Sequence, residues 1–236
     1  MKKLIIIPAY NESANIKNTV ENIQHTVPDF DYVVINDHST DQTLQILKDN
    51  HFNYINLPIN LGIGGAVQTG YQYAYANGYD LAVQVDGDGQ HDVSYLDALS
   101  SQLQKDDADM VIGSRFIKSE GFQSTFMRRV GIVYFTKLIH MLTGHTITDP
   151  TSGFRMADRK VIKLFATDYP RDYPEPESIV ALLKQGYKVE EVPVKMKERQ
   201  GGVSSIRMNN SVYYMIKVTL AIIICRISLG VRRTDK

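Results

Sequence analysis

Residues 83–91 read VQVDGDGQH. The apolar run over 81–85 describes a buried strand, and Asp86 and Asp88 stand just beyond its end. In an open α/β sheet, ligands sit at the carboxyl edge of the strands. Two carboxylates beside glycines suit a hard divalent cation; Mg2+ takes one or two carboxylates together with substrate phosphate oxygens. Such an ion would neutralise a diphosphate leaving group. The same letters also describe a solvated turn, since Asp-Gly is common turn chemistry, so the stretch needs support from the rest of the chain.

Outward from it, β-branched runs alternate with helical stretches. Leu4–Ile7 is a continuous apolar run stopped by Pro8, and 12–26 reads as a helix with Ile16, Val20 and Ile23 on one stripe. Asp31–Ile35 is a second strand, and Ser39 or Thr40 is placed to cap a helix carrying Leu44 and Leu47. Phe52–Leu57 reads as a third strand, 66–76 as a helix ending at Gly78, Leu81–Val85 as the fourth strand and Met110–Ile112 as the fifth. This alternation predicts an α/β fold, a mostly parallel sheet with flanking helices. After Gly113 the rhythm changes: a loop over 114–126, a helix over 127–143, an irregular stretch over 145–155 holding TSGFR, a helix near 176–185 and a strand near 188–194. The expected organisation is one domain over 1–205, with a donor half at 1–114 and an acceptor half at 115–205, followed by a C-terminal helix over 206–236.

Composition excludes several classes. The chain has 236 residues, with 26 Lys and Arg against 26 Asp and Glu, so no net field recruits nucleic acid. A single cysteine, Cys225, excludes an intrachain disulfide and a Cys-based zinc site. The opening MKKLIIIPAYNE imitates a signal peptide until Pro8 ends the apolar run, with no small-residue cleavage site after it. A cytoplasmic protein is expected, and the Asn-x-Ser matches at Asn11 and Asn209 then read as chance.

Two further strand ends are polar: PAYNE at 8–12 and NDHSTD at 36–41, which with 86–91 would share one rim of the sheet. The glycine cluster NLGIGGAVQTG at 60–70 lacks the G-x-G-x-x-G spacing of a dinucleotide loop. It marks either close helix-on-strand packing or a helix N-terminus facing an anion.

PAYNE, NDHSTD, NLGIGGAVQTG, DGDGQH, GSRF, TSGFR, EVPV and RQGGVSS follow one another in the order and spacing of family 2 glycosyltransferases. Over residues 3–205 the chain resembles the branch that includes dolichyl- and undecaprenyl-phosphate sugar transferases. The resemblance implies the GT-A fold, a UDP-linked nucleotide-diphosphate sugar donor, Mg2+ or Mn2+, and inversion at the anomeric carbon. It implies that Asp37 contacts the nucleoside while Pro8, Tyr10 and Glu12 line the same pocket. Asp86 would lie near the ribose and donor sugar, with Asp86, Asp88 and Gln90 forming the metal shell. Arg115 of GSRF and Arg129 would hold an acceptor phosphate, and Arg199, Gly202 and Ser204 match an R-x-x-G-x-S loop over the donor. The sequence departs from the pattern where Asn36 replaces the first of an acidic pair, Ile63 replaces a basic residue and His38 replaces a turn glycine. It also lacks the extra transmembrane helices of many relatives.

The acceptor decides the remaining chemistry. A phosphate monoester, with a second pKa of about 6, needs positioning, which arginine forks supply. A sugar hydroxyl of a growing glycan needs a general base, for which Asp149 and Glu177 are available. Glu177 is equally a helix N-terminal acid, Arg128 and Arg129 equally a solvated helix start, and Arg155 of TSGFR equally a brace for its loop. The polyprenyl-phosphate reading places the enzyme at the inner face of the cell membrane. An aspartate-nucleophile phosphatase also uses D-x-D after a strand, but Gly89 follows the second Asp here; a non-catalytic sugar-nucleotide sensor is a third reading. From Val203 onward six basic residues, Arg207, Lys217, Arg226, Arg232, Arg233 and Lys236, face one acid, Asp235. The longest uncharged run in 212–229 is the eight residues 218–225, too short to span a bilayer. Lys217 and Arg226 fall near opposite sides of a helix, so no clean interfacial stripe is expected. Tyr213, Tyr214 and the terminal arginines fit a segment at a membrane surface or against a membrane protein; packing on a second subunit or on the domain itself is the alternative.

Overall fold

The computed structural model describes residues 1–118, 126–172, 174–197 and 215–224. Seven strands form one sheet: β1 (Lys3–Ala9), β2 (Asp31–Asn36), β3 (Tyr54–Asn56), β4 (Leu81–Gln84), β5 (Met110–Ser114), β6 (Arg155–Asp158) and β7 (Val189–Pro193). Their order is β3-β2-β1-β4-β6-β5-β7, and all pairs are parallel except those made by β6. The helices are α1 (Ile16–Thr26), α2 (Thr43–Asp49), α3 (Gly62–Ala76), α4 (Leu96–Lys105), α5 (Phe126–Thr143), α6 (Arg159–Thr167), α7 (Pro174–Gln185) and α8 (215–224).

Continuous apolar runs form the central strands because both sheet faces are covered. Ile5 and Ile7 of β1 pack with α1, α2 and α4, whereas Leu4 and Ile6 pack with α3, α5, α6 and α7. The same alternation sorts Val34 from Val33 and Ile35, and Val111 from Met110 and Ile112. Ile16, Val20 and Ile23 of α1 are wholly buried, as their spacing predicts.

Several boundaries differ from the sequence reading. β1 runs through Pro8 to Ala9. The Ile6 carbonyl accepts from Val85 N–H and the Ala9 carbonyl from Asp37 N–H, so even positions face β4 and odd ones β2. Pro8 nitrogen therefore faces the β4 side, beyond the last paired β4 residue, and no ladder bond is lost. α1 starts at Ile16 because 12–15 form a turn whose Glu12 carbonyl accepts from Asn15 and Ile16. α2 is not capped by Ser39 or Thr40; Asp41 accepts from Thr43 N–H instead. α3 begins at Gly62, so the glycine cluster is its first turn. There Gly64 N–H donates to the Arg171 carbonyl, and a Cβ at Gly64 would overlap the Pro170 and Arg171 carbonyls. This is the close-packing reading of the cluster. β6 and α6 had no counterpart in the sequence reading.

A methyl at Gly70 would overlap Ile6 of β1, while among the described residues nothing lies within 4 Å of one at Gly131 in α5. Gly70→Ala is expected to destabilise by about 1–3 kcal/mol through overpacking. Gly131→Ala is expected to stabilise by up to about 1 kcal/mol through helix propensity. Urea melts of the two variants check this.

Candidate active site

β1 connects to β2 on one side and pairs with β4 on the other, so the crevice between the carboxyl ends of β1 and β4 is the switch point of the sheet. PAYNE and DGDGQH flank that crevice. The antiparallel β6 lies between β4 and β5, pairing Val83 with Met156 and Ile112 with Arg155. Its starting end therefore meets the finishing ends of β4 and β5. TSGFR, just before β6, thus joins DGDGQH and GSRF on one rim.

Asp86 is the best-framed of the predicted residues. Its Oδ1 accepts from Gln84 Nε2 at 2.9 Å, and its backbone N–H donates to His91 Nδ1 at 3.0 Å. With Nδ1 accepting, the His91 proton sits on Nε2, which lies 3.6 Å from Asp86 Oδ2. The buried His91 ring stacks on Phe154 with centroids 4.9 Å apart. Asp88 Oδ1 accepts from Gln90 N–H at 3.0 Å. Gln90 is tied to the stretch after β7: its carbonyl accepts from Lys197 N–H at 2.9 Å, and its Nε2 donates to the Lys197 carbonyl at 3.3 Å. Asp88, His91 and Lys197, with Asn15 before α1 and Asn18 and Asn22 on it, line a cavity of about 220 Å³.

The first two strand ends interlock. Asn11 N–H donates to Ser39 Oγ, and Asn11 Oδ1 accepts from Thr40 N–H at 2.8 Å. Glu12 N–H donates to Thr43 Oγ1, and Asp41 accepts from Ser13 N–H. Burial opposes ionisation of Asp41, but the bonds from Ser13 and Thr43 outweigh it and hold the carboxyl below its ordinary range. Pro8 is buried, Tyr10 exposed and Glu12 half-buried along this rim. Asp37 is buried, and its carboxylate accepts from Leu61 N–H at 2.7 Å and Gly62 N–H at 2.9 Å, at the α3 N-terminus. Burial raises its pKa against the pull of those amides. Asn36, in the place of an acid, instead donates from Nδ2 to Asn56 on β3 at 2.6 Å. His38 has φ 56°, the left-handed conformation that a glycine adopts without strain.

Arg115 and Asp149 are brought together. Arg115 Nε and Nη2 donate to the two Asp149 oxygens at 2.6 and 2.7 Å, and Nη2 also reaches Thr151 Oγ1 at 3.1 Å. Asp149 is 0% exposed. Its carboxylate is thus the guanidinium's partner, and the placement does not suit a base that meets a hydroxyl. Glu191 of EVPV holds the same loop from β7, accepting from Thr148 and Asp149 N–H at 2.7 and 2.9 Å. Burial raises the Glu191 pKa, against those hydrogen bonds. Arg155 is the brace: its guanidinium donates to the Ser152 and Glu175 carbonyls and to Ser178 Oγ, fixing TSGFR to α7. Glu177 is half-buried in the first turn of α7, its pKa raised by burial and then by Asp168 and Asp172. Arg129 is exposed at the start of α5. Arg199, Gly202 and Ser204 lie outside the described residues, as does the Arg128 side chain. Gln84, His91, Phe154 and Glu191 escaped the sequence reading; a polar Gln84 at the end of an apolar strand was the one available signal.

α8 also departs from expectation. Val218 and Ile222 pack into the core, while Ile216, Leu220, Ile223 and Ile224 form an exposed stripe. Lys217 does not interrupt it, because its ammonium turns sideways to Asp172 at 2.8 Å. Tyr134 of α5 hydrogen-bonds Thr219 at 3.1 Å, and α5 exposes Val130, Val133 and Met141. Among the described residues no helix is long and apolar enough to cross a membrane. Cys225 and Arg226 lie outside them.

A family model described as glycosyl transferase family 2 matches residues 4–165. The chain is 31% identical over 211 residues to a UDP-N-acetylglucosamine–dolichyl-phosphate N-acetylglucosaminyltransferase of Methanococcus voltae, covering 81% of this chain and 84% of that one. It is 28% identical to a polyprenol monophosphomannose synthase of Mycolicibacterium smegmatis, over 92% of this chain and 85% of the relative. Among solved structures, glucosyl-3-phosphoglycerate synthase from Mycobacterium tuberculosis, in complex with Mn2+, UDP and phosphoglyceric acid, superposes with a TM-score of 0.71 at 18% identity, over 95% of this chain and 78% of that one.

Removing one member of the Arg115–Asp149 pair strands a buried charge. Asp149→Ala is expected to destabilise by about 3–5 kcal/mol, read as a lowered denaturation midpoint. The double variant Arg115→Met with Asp149→Leu is expected to recover most of that loss, because no charge remains to be desolvated.

Proposed function

The chain belongs to glycosyl transferase family 2, and from that premise we propose that it moves a sugar from a nucleotide diphosphate, UDP-linked, to a polyprenyl phosphate, with inversion, at the inner membrane face. The observation that carries the acceptor class is the Arg115–Asp149 pair. With Nε and Nη2 taken by Asp149, the guanidinium is fixed in orientation at the GSRF strand end, and a phosphate would be met by its Nη1 hydrogens, with the positive charge coming from Arg129. The one carboxylate beside it is sealed and already engaged, so the arrangement favours a nucleophile that arrives ionised. A phosphate monoester does. The relatives named for dolichyl, polyprenol and undecaprenyl phosphate acceptors support the same class.

Among the described residues no three His, Cys, Asp or Glu side chains gather into a cation site. Asp86, Asp88 and Gln90 nonetheless offer only oxygen donors, a set that fits Mg2+ or Mn2+ when phosphate oxygens fill the remaining places. The bound ion would supply charge neutralisation for the departing diphosphate. The protein's own share is orientation: Asp86 is held from both sides, and the PAYNE and NDHSTD loops brace each other along the nucleoside side. Arg129 at the start of α5 would approach the acceptor phosphate with Arg115. The resemblance assigns Arg199 and Ser204 to the donor; both lie outside the described residues.

The second reading, transfer to a sugar hydroxyl of a glycan, rests on Glu177, whose raised pKa suits a base. With Mn2+, labelled UDP-sugars and undecaprenyl phosphate, label is expected in the lipid extract. Asp88→Asn or EDTA should lower turnover at least about 100-fold. Glu177→Gln should leave the rate within a few-fold, whereas loss of a base would cost about 10²–10⁴-fold. The raised folded pKa means that ionised Glu177 costs stability above it, and that this cost vanishes as pH falls to the unfolded value near 4.5. Glu177→Gln should therefore be more stable than wild type at pH 7, and the difference should close by about pH 4.

The exposed stripe of α8 and the neighbouring apolar face of α5 would lie against the lipid surface. Ile216→Glu with Leu220→Glu is expected to abolish co-sedimentation with anionic vesicles while leaving the melting temperature near wild type. Unchanged sedimentation would remove the membrane from the proposal.

A further inference from the structure

We propose that Gln84 and His91 are positioning residues that aim the Asp86 carboxylate at the donor, with the TSGFR turn as their backstop. The inference rests on the reading that Asp86 faces the donor. Gln84 is 1% exposed, a polar side chain closing an otherwise apolar strand. Its Nε2 donates to Asp86 Oδ1 at 2.9 Å, yet its Oε1 is buried with no hydrogen-bond partner among the described residues. A buried acceptor left without a donor is costly, so its retention asks for a reason. The reverse amide orientation would set a carbonyl oxygen against a carboxylate, so the amide has one acceptable orientation and the orphan oxygen follows from it.

His91 frames the other side. Its Nδ1 takes the Asp86 N–H, which leaves the proton on Nε2, 3.6 Å from Asp86 Oδ2. The ring cannot turn freely, because it is 6% exposed and stacked on Phe154 with an interplanar angle of 19°. Gly153 completes the clamp. A Cβ there would stand 2.8 Å from Gln84 Nε2 and 3.4 Å from both Asp86 oxygens. Gly153 thus admits the Gln84–Asp86 pair and Phe154 fixes His91, while the buried Arg155 ties the turn to α7. Outer groups of this kind orient a ligating carboxylate without touching the ligand.

The decisive variant is Gln84→Met, close in size, lacking the donor and lacking the orphan acceptor. A merely structural Gln84 predicts a lower melting temperature and unchanged turnover per folded molecule. Positioning predicts the opposite: a melting temperature equal to or above wild type, with affinity for UDP in the presence of Mn2+ and kcat both reduced about 10–100-fold, and KM for the lipid acceptor unchanged. His91→Phe, which keeps the stack on Phe154 and loses both contacts with Asp86, should show the same pattern and decides the matter should Gln84→Met not fold. Wild-type UDP affinity in these variants overturns the inference. Asp86→Asn separates the two levels: if it retains wild-type UDP affinity, the donor reading of Asp86 itself fails. If it loses affinity while Gln84→Met and His91→Phe keep it, only the positioning role fails.

Discussion

β6 runs against its neighbours, and the geometry of the site depends on that reversal. A parallel strand between β4 and β5 would begin at the far edge of the sheet and carry its preceding loop away from the crevice. Because β6 is antiparallel, residues 151–154 arrive at the edge where β4 and β5 finish. DGDGQH, GSRF and TSGFR, separated by tens of residues in sequence, then sit side by side. The insertion is held by apolar residues on both faces: Met156 packs toward α1 and α4, and Ala157 toward α3 and α6. Burial on two faces also makes the register stringent, since a one-residue slip would exchange them.

The polar groups at this rim are organised in pairs, each engaged by a neighbour from a different element. Asp149 takes Arg115 from the end of β5, while its own N–H is taken by Glu191 from β7. Arg155 reaches across to Ser178 and the Glu175 carbonyl on α7. Away from water such contacts are strong, and a missing partner is correspondingly expensive. The outcome is a rigid floor beneath loops that must bind a charged substrate. Rigidity matters more here than added stability, because a fixed guanidinium or carboxylate needs no reorganisation when charge develops.

Much of residues 1–114 is legible from the letters alone. Buried parallel strands announce themselves as uninterrupted apolar runs, and β2 and β4 end within one residue of where those runs stop. The stretch from 115 onward is less legible because its reasons are tertiary. β6 contains Arg155, a charge within the sheet, which pattern reading assigns to a loop; the carbonyls of 152 and 175 and the Ser178 hydroxyl make it tolerable. Pro8 reads as a stop because its freedom from the ladder depends on β4 ending early. The α8 stripe was hidden for a similar reason: Lys217 spoils the pattern in sequence, and Asp172, forty-five residues away, takes it aside.

These features together bear on how one scaffold can face a membrane-borne acceptor. An ionised phosphate needs fixed donors, a positive charge and no base; the Arg115–Asp149 pair is neutral as a unit and gives a fixed guanidinium with no free base, and Arg129 would bring the charge. A polyprenyl tail needs an apolar surface close to that site, and α5 connects the two requirements. Its first turn carries Arg129, its inner face packs Phe135, Leu138, Ile139 and Leu142 into the core, and its outer face joins the α8 stripe through Tyr134 and Thr219. A single helix would thereby register the phosphate end of the acceptor against the rim while its lipid end remains in the bilayer. Under the proposed function the apolar face would take part in substrate recognition, because the depth at which α5 and α8 settled would set how far the phosphate could reach.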